Sequence, residues 1–238
     1  MERIDTTGRI SDTVYGILRN AILSHELKSG ESLSIPELAR KLGVSRTPVR
    51  DAVLQLVAEG LAASEPRKGA TVLHPDEESL LAIHEVREVL EGLSVRRAAQ
   101  AISASQIRRL DQILKNQAKA VGQSDVTLFS STDEAFHELI ADVNPEPRLS
   151  QFLRILRDQM QLAVTVATAN PQHLREAHRE HVAIFSALSK QDAKAAERAM
   201  RLHISRSRAR VASALAGPAL NTGSARSETP QNARRRKG

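Results

Sequence analysis

Apolar residues recur at helical spacing along most of the chain, and the places where that spacing changes divide it. Over residues 11–25, Val14, Ile17, Leu18, Ala21 and Ile22 share one helix face, with Ser11 or Asp12 available as a cap. The Lys28-Ser29-Gly30 turn follows, and Ile35 to Leu42 reads as a short helix with Pro36 in its first turn, where a missing N–H does no harm. Gly43 stops it. Ser45 is placed to cap a third helix running to about Glu59, whose buried face is Val49, Ala52, Val53, Leu56 and Val57; Gly60 ends that helix. The period then shortens. Leu61–Ser64 and Ala70–Leu73 are brief apolar segments around Glu65-Pro66-Arg67-Lys68-Gly69, the composition of a hairpin with a basic tip.

His74-Pro75-Asp76 predicts a linker, after which the helical period returns and persists to about Ala216. It falls into six amphipathic stretches, near 77–101, 104–122, 125–143, 146–169, 172–190 and 192–215, separated by residues with stop or capping chemistry. The expected fold is mainly α. Residues 8–75 predict a winged helix-turn-helix, and 76–216 an all-α bundle of about six helices. Residues 217–238 are Gly-, Ser- and Pro-rich, end in Arg234-Arg235-Arg236-Lys237, and predict a disordered basic tail.

Composition narrows the function classes. Hydrophobic residues make up 41% of the chain but aromatics only 2%, which suits helices packed by aliphatic ridges. There is no cysteine, so disulfides, thiolate zinc sites and cysteine nucleophiles are excluded together. No apolar run approaches the roughly 18 residues a membrane helix needs, and a cytoplasmic protein without membrane contact is expected. The net charge of +6 is less informative than it looks: residues 1–75, 76–214 and 215–238 contribute +1, +1 and +4. Most of the excess lies in the tail, so a claim of DNA binding must rest on where the basic residues cluster.

They cluster at the expected helix-turn-helix. In Ala39-Arg40-Lys41-Leu42-Gly43-Val44-Ser45-Arg46-Thr47-Pro48-Val49-Arg50, Arg46 and Arg50 lie four residues apart on the face opposite the Val49/Val53/Leu56 stripe, with Thr47 beside them at the positive end of the helix dipole. One arginine can pair bidentately with guanine O6 and N7, and Arg50 is the candidate for that contact. Ser45 and Thr47 would bond phosphates, Arg46 could serve either surface, and Arg67 and Lys68 at the wing tip would reach the backbone or minor groove. Solvated arginines on an ordinary helix are the bland alternative; the turn, the cap and the basic hairpin together weigh against it.

The runs Gly30-Glu31-Ser32-Leu33, Glu37-Leu38-Ala39, Leu42 to Ala52, Leu56, Glu59-Gly60-Leu61 and Arg67-Lys68-Gly69 strongly resemble the GntR family of bacterial regulators. The C-terminal half resembles the FCD effector domain of the FadR-like branch, and six helices would place it near the VanR-type subgroup. The resemblance covers about residues 8–215. It implies a homodimeric transcriptional regulator, by expectation a repressor, that binds a near-palindromic operator and answers to a small carboxylate or sugar acid.

Asp133 and His137 stand four residues apart and can point from one helix face toward a common ion, while His181 and His203 lie on the last two predicted helices. Three imidazoles and a carboxylate suit a divalent transition metal such as zinc, nickel or manganese. Spacing alone does not bring them together, since a lone histidine on a helix is usually a packed or surface residue. The resemblance does imply a metal site, because the Asp-x-x-x-His pair and two later histidines of FCD domains match Asp133, His137, His181 and His203. His178 could line the cavity or substitute as a ligand. His25, His74, His84 and His173 match no part of the pattern and read as surface or packing residues.

Arg87 resembles the family position that meets an acidic effector, and its planar fork suits a carboxylate. The competing reading is a structural Arg87–Glu91 pair at i, i+4. Two other function classes stand beside the regulator: a DNA-binding protein whose second domain only dimerises, and a metal-dependent hydrolase, for which a nucleophile motif is absent.

Overall fold

A computed structural model describes residues 6–65, 69–162 and 170–215. Its first helix, α1 (Thr6–Leu23), starts more than a turn before the expected point. Ser11 and Asp12 are therefore interior helical residues and not its cap, because the single Gly8 and the lack of proline let the backbone stay helical toward the N-terminus. The helix also stops two residues early, where His25 takes a positive φ. Next come α2 (Ile35–Leu42), with Pro36 in its first turn, and α3 (Arg46–Ala58). Gly43 closes α2 in the left-handed region at φ 66, and its N–H donates to the Ala39 carbonyl. Ser45 has the extended backbone of a cap but its hydroxyl makes no cap bond.

The hairpin forms where the period shortens. β1 (Ala62–Glu65) pairs antiparallel with β2 (Gly69–Val72), and an isolated bridge from Ser32 to Thr71 adds a third edge. Its tip, with Arg67 and Lys68, lies outside the described residues, as does the predicted basic tail. Val14, Leu18, Ile22, Val49, Val53, Leu56, Leu61 and Val72 bury one another in the core of this half.

Six helices follow among the described residues: α4 (Glu77–Ala101), α5 (Ala104–Gln123), α6 (Val126–Asp142), α7 (Pro147–Gln161), α8 (Pro171–Ser189) and α9 (Ala193–Leu215). Asp76 caps α4 by accepting the Ser79 N–H, and Ser103 and Gln106 form a reciprocal capping box at α5. Within the expected 146–169 helix, α7 accounts for Pro147–Gln161, and residues 163–169 lie outside the described set. Val95, Leu110, Phe136, Ile140, Ile184, Leu188, Met200 and Ile204 fill the core between α4, α5, α6, α8 and α9.

The two cores are joined by α7. Leu162, just past its end, is buried in the N-terminal core. Asp158 takes Arg19 of α1 at 2.6 Å and Arg154 at 3.0 Å, while Arg154 also reaches Glu59 at 3.1 Å and the Tyr15 hydroxyl at 2.9 Å. The Tyr15 hydroxyl donates to Glu59, and burial together with that bond raises its pKa to about 12. Gln159 donates to the Glu59 carbonyl at 2.8 Å. Only glycine suits position 60, whose φ is 70 and where a Cβ would stand 2.4 Å from the Gln159 amide nitrogen.

Candidate functional site

Three helices of the second half each bring one imidazole to a common point. His137 comes from α6, His181 from α8 and His203 from α9, and all three are buried. One ring nitrogen from each lies within 4.8 Å of the other two, and the Nε2 atoms of His181 and His203 are 3.2 Å apart. Asp133, one turn before His137, sets a carboxylate oxygen 3.5 Å from His181 Nε2; its side chain is 38% exposed, so the cluster opens on that side. Phe136, between the two in sequence, stacks on His181 with ring centroids 4.4 Å apart and closes one wall.

The outer nitrogens decide where the protons sit. His137 Nδ1 donates to Glu91 at 2.5 Å, His203 Nδ1 to Glu180 at 2.8 Å, and His181 Nδ1 to the Gln117 side-chain oxygen at 3.0 Å. Each ring therefore turns a bare Nε2 lone pair toward the other two. The His137 Nε2 is buried without a partner. Such a cluster of lone pairs is unfavourable unless a cation sits among them, and imidazoles held from behind by carboxylate or amide are the usual support of a metal ion. The donor set, three nitrogens and one oxygen, fits a divalent transition ion.

Electrostatics favour the neutral ring at His181 and at His203. Burial pushes His181 well below its ordinary pKa, with the neighbouring imidazoles adding to the effect, and burial lowers His203 despite the opposing bond to Glu180. Burial would raise Glu180, yet the His203 and Arg210 hydrogen bonds bring it down to about 2. Burial would raise the fully buried Glu91, yet its interactions with His137 and Arg87 outweigh this and hold it well below the carboxylate range. Arg87 donates to Glu91 at 2.8 Å through Nε. The i, i+4 pair is thus present, but buried and linked through Glu91 to His137, where an exposed pair would have been a surface ornament.

His178 does not join the cluster; its Nδ1 lies 3.0 Å from the same Gln117 oxygen that receives His181. His84 is buried, donating to the Leu80 carbonyl at 2.8 Å, as a packing residue should. Three residues of the site escaped sequence reasoning. Glu91 was visible only as a partner for Arg87, and Glu180 was hidden beside His181. Gln117 sits alone on α5, and only the three-dimensional packing of α5 against α8 brings it to the rings.

At the other end, Ser45, Arg46, Thr47 and Arg50 are all exposed, while Pro48, Val49, Ala52, Val53 and Leu56 of the same helix are buried. The sequence stripe therefore separates as expected, and the α3 N-terminus presents two guanidiniums to solvent. Among the described residues neither arginine forms an ion pair.

Comparison with known proteins adds identity to geometry. The profile described as bacterial regulatory proteins, gntR family, matches residues 10–72, and the FCD domain profile matches residues 82–206. The chain is 31% identical over 205 residues to the HTH-type transcriptional repressor RspR of Escherichia coli K12, covering 85% of this chain and 89% of that protein. It is 26% identical to the HTH-type transcriptional regulator YdhC of Bacillus subtilis, covering 79% and 85% of the two chains. Among solved structures, E. coli McbR/YncC superposes with a TM-score of 0.74 at 24% identity, covering 86% of this chain and 97% of that one. A transcriptional regulator GntR from Rhodococcus sp. RHA1 gives 0.71 at 24% identity, covering 86% and 98%. At such identity these two structures speak for the fold alone.

Proposed function

Because the chain belongs to the gntR family of bacterial regulatory proteins and carries an FCD domain, and is thus a transcriptional regulator and not an enzyme, we propose that it is a homodimeric repressor whose hold on a near-palindromic operator is set by a small organic acid bound at a metal ion. Residues 8–75 form the DNA-binding domain and 76–216 the effector and dimerisation domain. In this reading Arg50 reads a guanine edge, Ser45 and Thr47 bond phosphates, Arg46 serves either surface, and Arg67 and Lys68 steady the wing on the backbone or minor groove. Acting on operator DNA places the protein in the cytoplasm, in keeping with the lack of any helix long and apolar enough to cross a membrane among the described residues.

The observation that carries the sensing half is the convergence of three bare Nε2 lone pairs beside Asp133. Asp133, His137, His181 and His203 would hold the ion, with zinc, nickel and manganese as candidates. Such an ion, when bound, supplies an electrophilic anchor for a carboxylate oxygen. Glu91, Glu180 and Gln117 fix the ring orientations from behind, and Arg87, on the turn below Glu91, offers a guanidinium to the same acid. The repressor sign follows that of the repressor RspR, to which the chain is 31% identical. A plain dimerisation domain would leave the three buried lone pairs without a purpose, so the sensing reading is preferred to it.

The test pairs two variants. Wild type should be stabilised thermally by metal and further by a carboxylate or sugar acid, and His181→Ala should lose both responses while still folding. Arg50→Ala should keep both and bind operator at least about tenfold more weakly, the loss of one bidentate base contact. Identical metal responses in wild type and His181→Ala would sink the metal centre, and unchanged operator affinity in Arg50→Ala would sink the assignment of the reading helix.

A further inference from the structure

One guanidinium of α7 is unused by everything described so far. Arg157 lies one turn past Leu153, which is buried with Leu149 and Ala141 in a cluster where Leu90 and Leu93 of α4 pack. That places it over the α4 turns bearing Arg87 and Glu91. The charges its side chain feels most are those of Glu91 and then Arg87. Its Nη1 is buried and has no hydrogen-bond partner, and among the described residues Arg157 forms no ion pair.

Among the described residues its neighbours do not supply the missing anion. Glu91 is already claimed by Arg87 at 2.8 Å and by His137 at 2.5 Å. Asp158, next in sequence, is taken by Arg19 and Arg154, and Arg154 by Glu59. Glu138 and Glu134, two further carboxylates within its electrostatic reach, are exposed to solvent and make no hydrogen bond to it among the described residues. A guanidinium nitrogen buried with its bond unmade is costly, and an anionic oxygen would complete it. The metal cluster is likewise short of negative charge: a divalent ion there would face Asp133 directly and Glu91 only through His137. Two cationic positions, one on each side of Glu91, thus stand without their own anion.

We propose that Arg157 receives the second acid group of a dianionic effector, so that the ligand class is a short dicarboxylate with one acid group at the metal centre and the other on α7. This rests on the effector reading given above and narrows it. Two acid groups answer two separate positive positions, whereas a monoacid at the metal leaves Arg157 unpaired.

The experiment uses the full chain loaded with zinc and titrated calorimetrically with succinate and malate against butyrate and lactate, acids matched in carbon skeleton or function. In wild type a diacid should bind about tenfold or more tightly than its monoacid counterpart, the return expected of a charge-assisted bond to a half-buried guanidinium. Arg157→Gln should shrink that preference to within about twofold, judged against the same charge-assisted contribution, with monoacid and zinc affinities unchanged. Arg157→Lys should keep part of it. Without acid, Arg157→Gln should melt at or above the wild-type temperature, since it removes an unpaired charge; a structural arginine would melt lower. An unchanged diacid preference in Arg157→Gln, or a lowered melting point, overturns the inference, as does a wild type that binds monoacids as well as diacids. Binding of neither class at a zinc-loaded centre would instead bring down the effector reading itself.

Discussion

At the residue scale the most informative atoms are those whose protons are settled by a neighbour. His137, His181 and His203 turn their Nε2 atoms toward one another because Glu91, Gln117 and Glu180 hold their Nδ1 protons. The four candidate ligands were legible in the sequence through a motif, but their orientation was not, because Glu91, Gln117 and Glu180 stand on different helices or carry no spacing signal of their own. Arg87 illustrates the same limit. Its i, i+4 spacing to Glu91 reads identically on an exposed and on a buried helix face, and only packing of α6 and α7 against α4 puts it behind the histidine cluster. His84 gives a pH signature at this scale. Burial lowers its pKa from 6.5 to about 4, so the folded chain takes up fewer protons than the unfolded one between those values. The stability it contributes is whole above pH 6.5 and is lost as pH falls toward 4. Between pH 7.5 and 4.5 wild type should therefore lose of order 2–3 kcal/mol that His84→Leu does not lose, from about 1.4 kcal/mol per pKa unit. Urea unfolding at the two pH values checks this, and parallel losses in both proteins would refute it.

At the element scale, α7 is the helix with two jobs. Its first turns pack Leu149 and Leu153 on α4, while Arg154, Asp158, Gln159 and Leu162 belong to the DNA-reading half. The sequence pattern showed an amphipathic helix here but no reason for Arg154 and Asp158, because their partners Tyr15, Arg19 and Glu59 lie roughly a hundred residues or more away. Helix spacing reports only the near neighbours of a charge. The reading helix was legible for the opposite reason: Ser45 to Leu56 carries both its buried stripe and its exposed arginines within one helix length. The wing strands were legible too, displaced by a single residue. Asp158→Ala should cost about 3–5 kcal/mol, since it strands the partly buried Arg19 without its carboxylate. It should also split thermal unfolding into two transitions as the halves lose their shared network. Calorimetry decides, and a single sharp transition at an unchanged temperature would show that the network does not join them.

At the scale of the whole molecule, two routes among the described residues connect the C-terminal half to the reading helix. One is the His74-Pro75 linker between β2 and α4, apparent from sequence; the other is α7, apparent only from structure. The second route is the shorter physical path, since Arg157 and Asp158 are adjacent on one helix and face Glu91 and Arg19 respectively. Whatever acid prefers one arrangement of the halves must shift operator affinity by its differential binding, and the coupling is reciprocal. If the acid weakens operator binding by some factor, saturating operator DNA should weaken acid binding by the same factor, typically about 5–150-fold. Paired titrations, acid into protein and acid into the protein–operator complex, measure both sides. Equal acid affinities with and without DNA would mean that the site and the reading helix are not linked.

The burial of Leu162 in the N-terminal core has a practical bearing on building biosensors from such proteins. Swapping DNA-reading modules between regulators assumes that the cut at the linker separates two self-sufficient parts. Here it would leave an apolar hole where a leucine side chain belonged, a defect that ordinarily costs about 2–5 kcal/mol, and would uncover Glu59 and Arg19 together. A chimera that keeps residues 1–75 therefore inherits a socket shaped for a foreign plug. The portable unit is the reading half together with the helix that completes it.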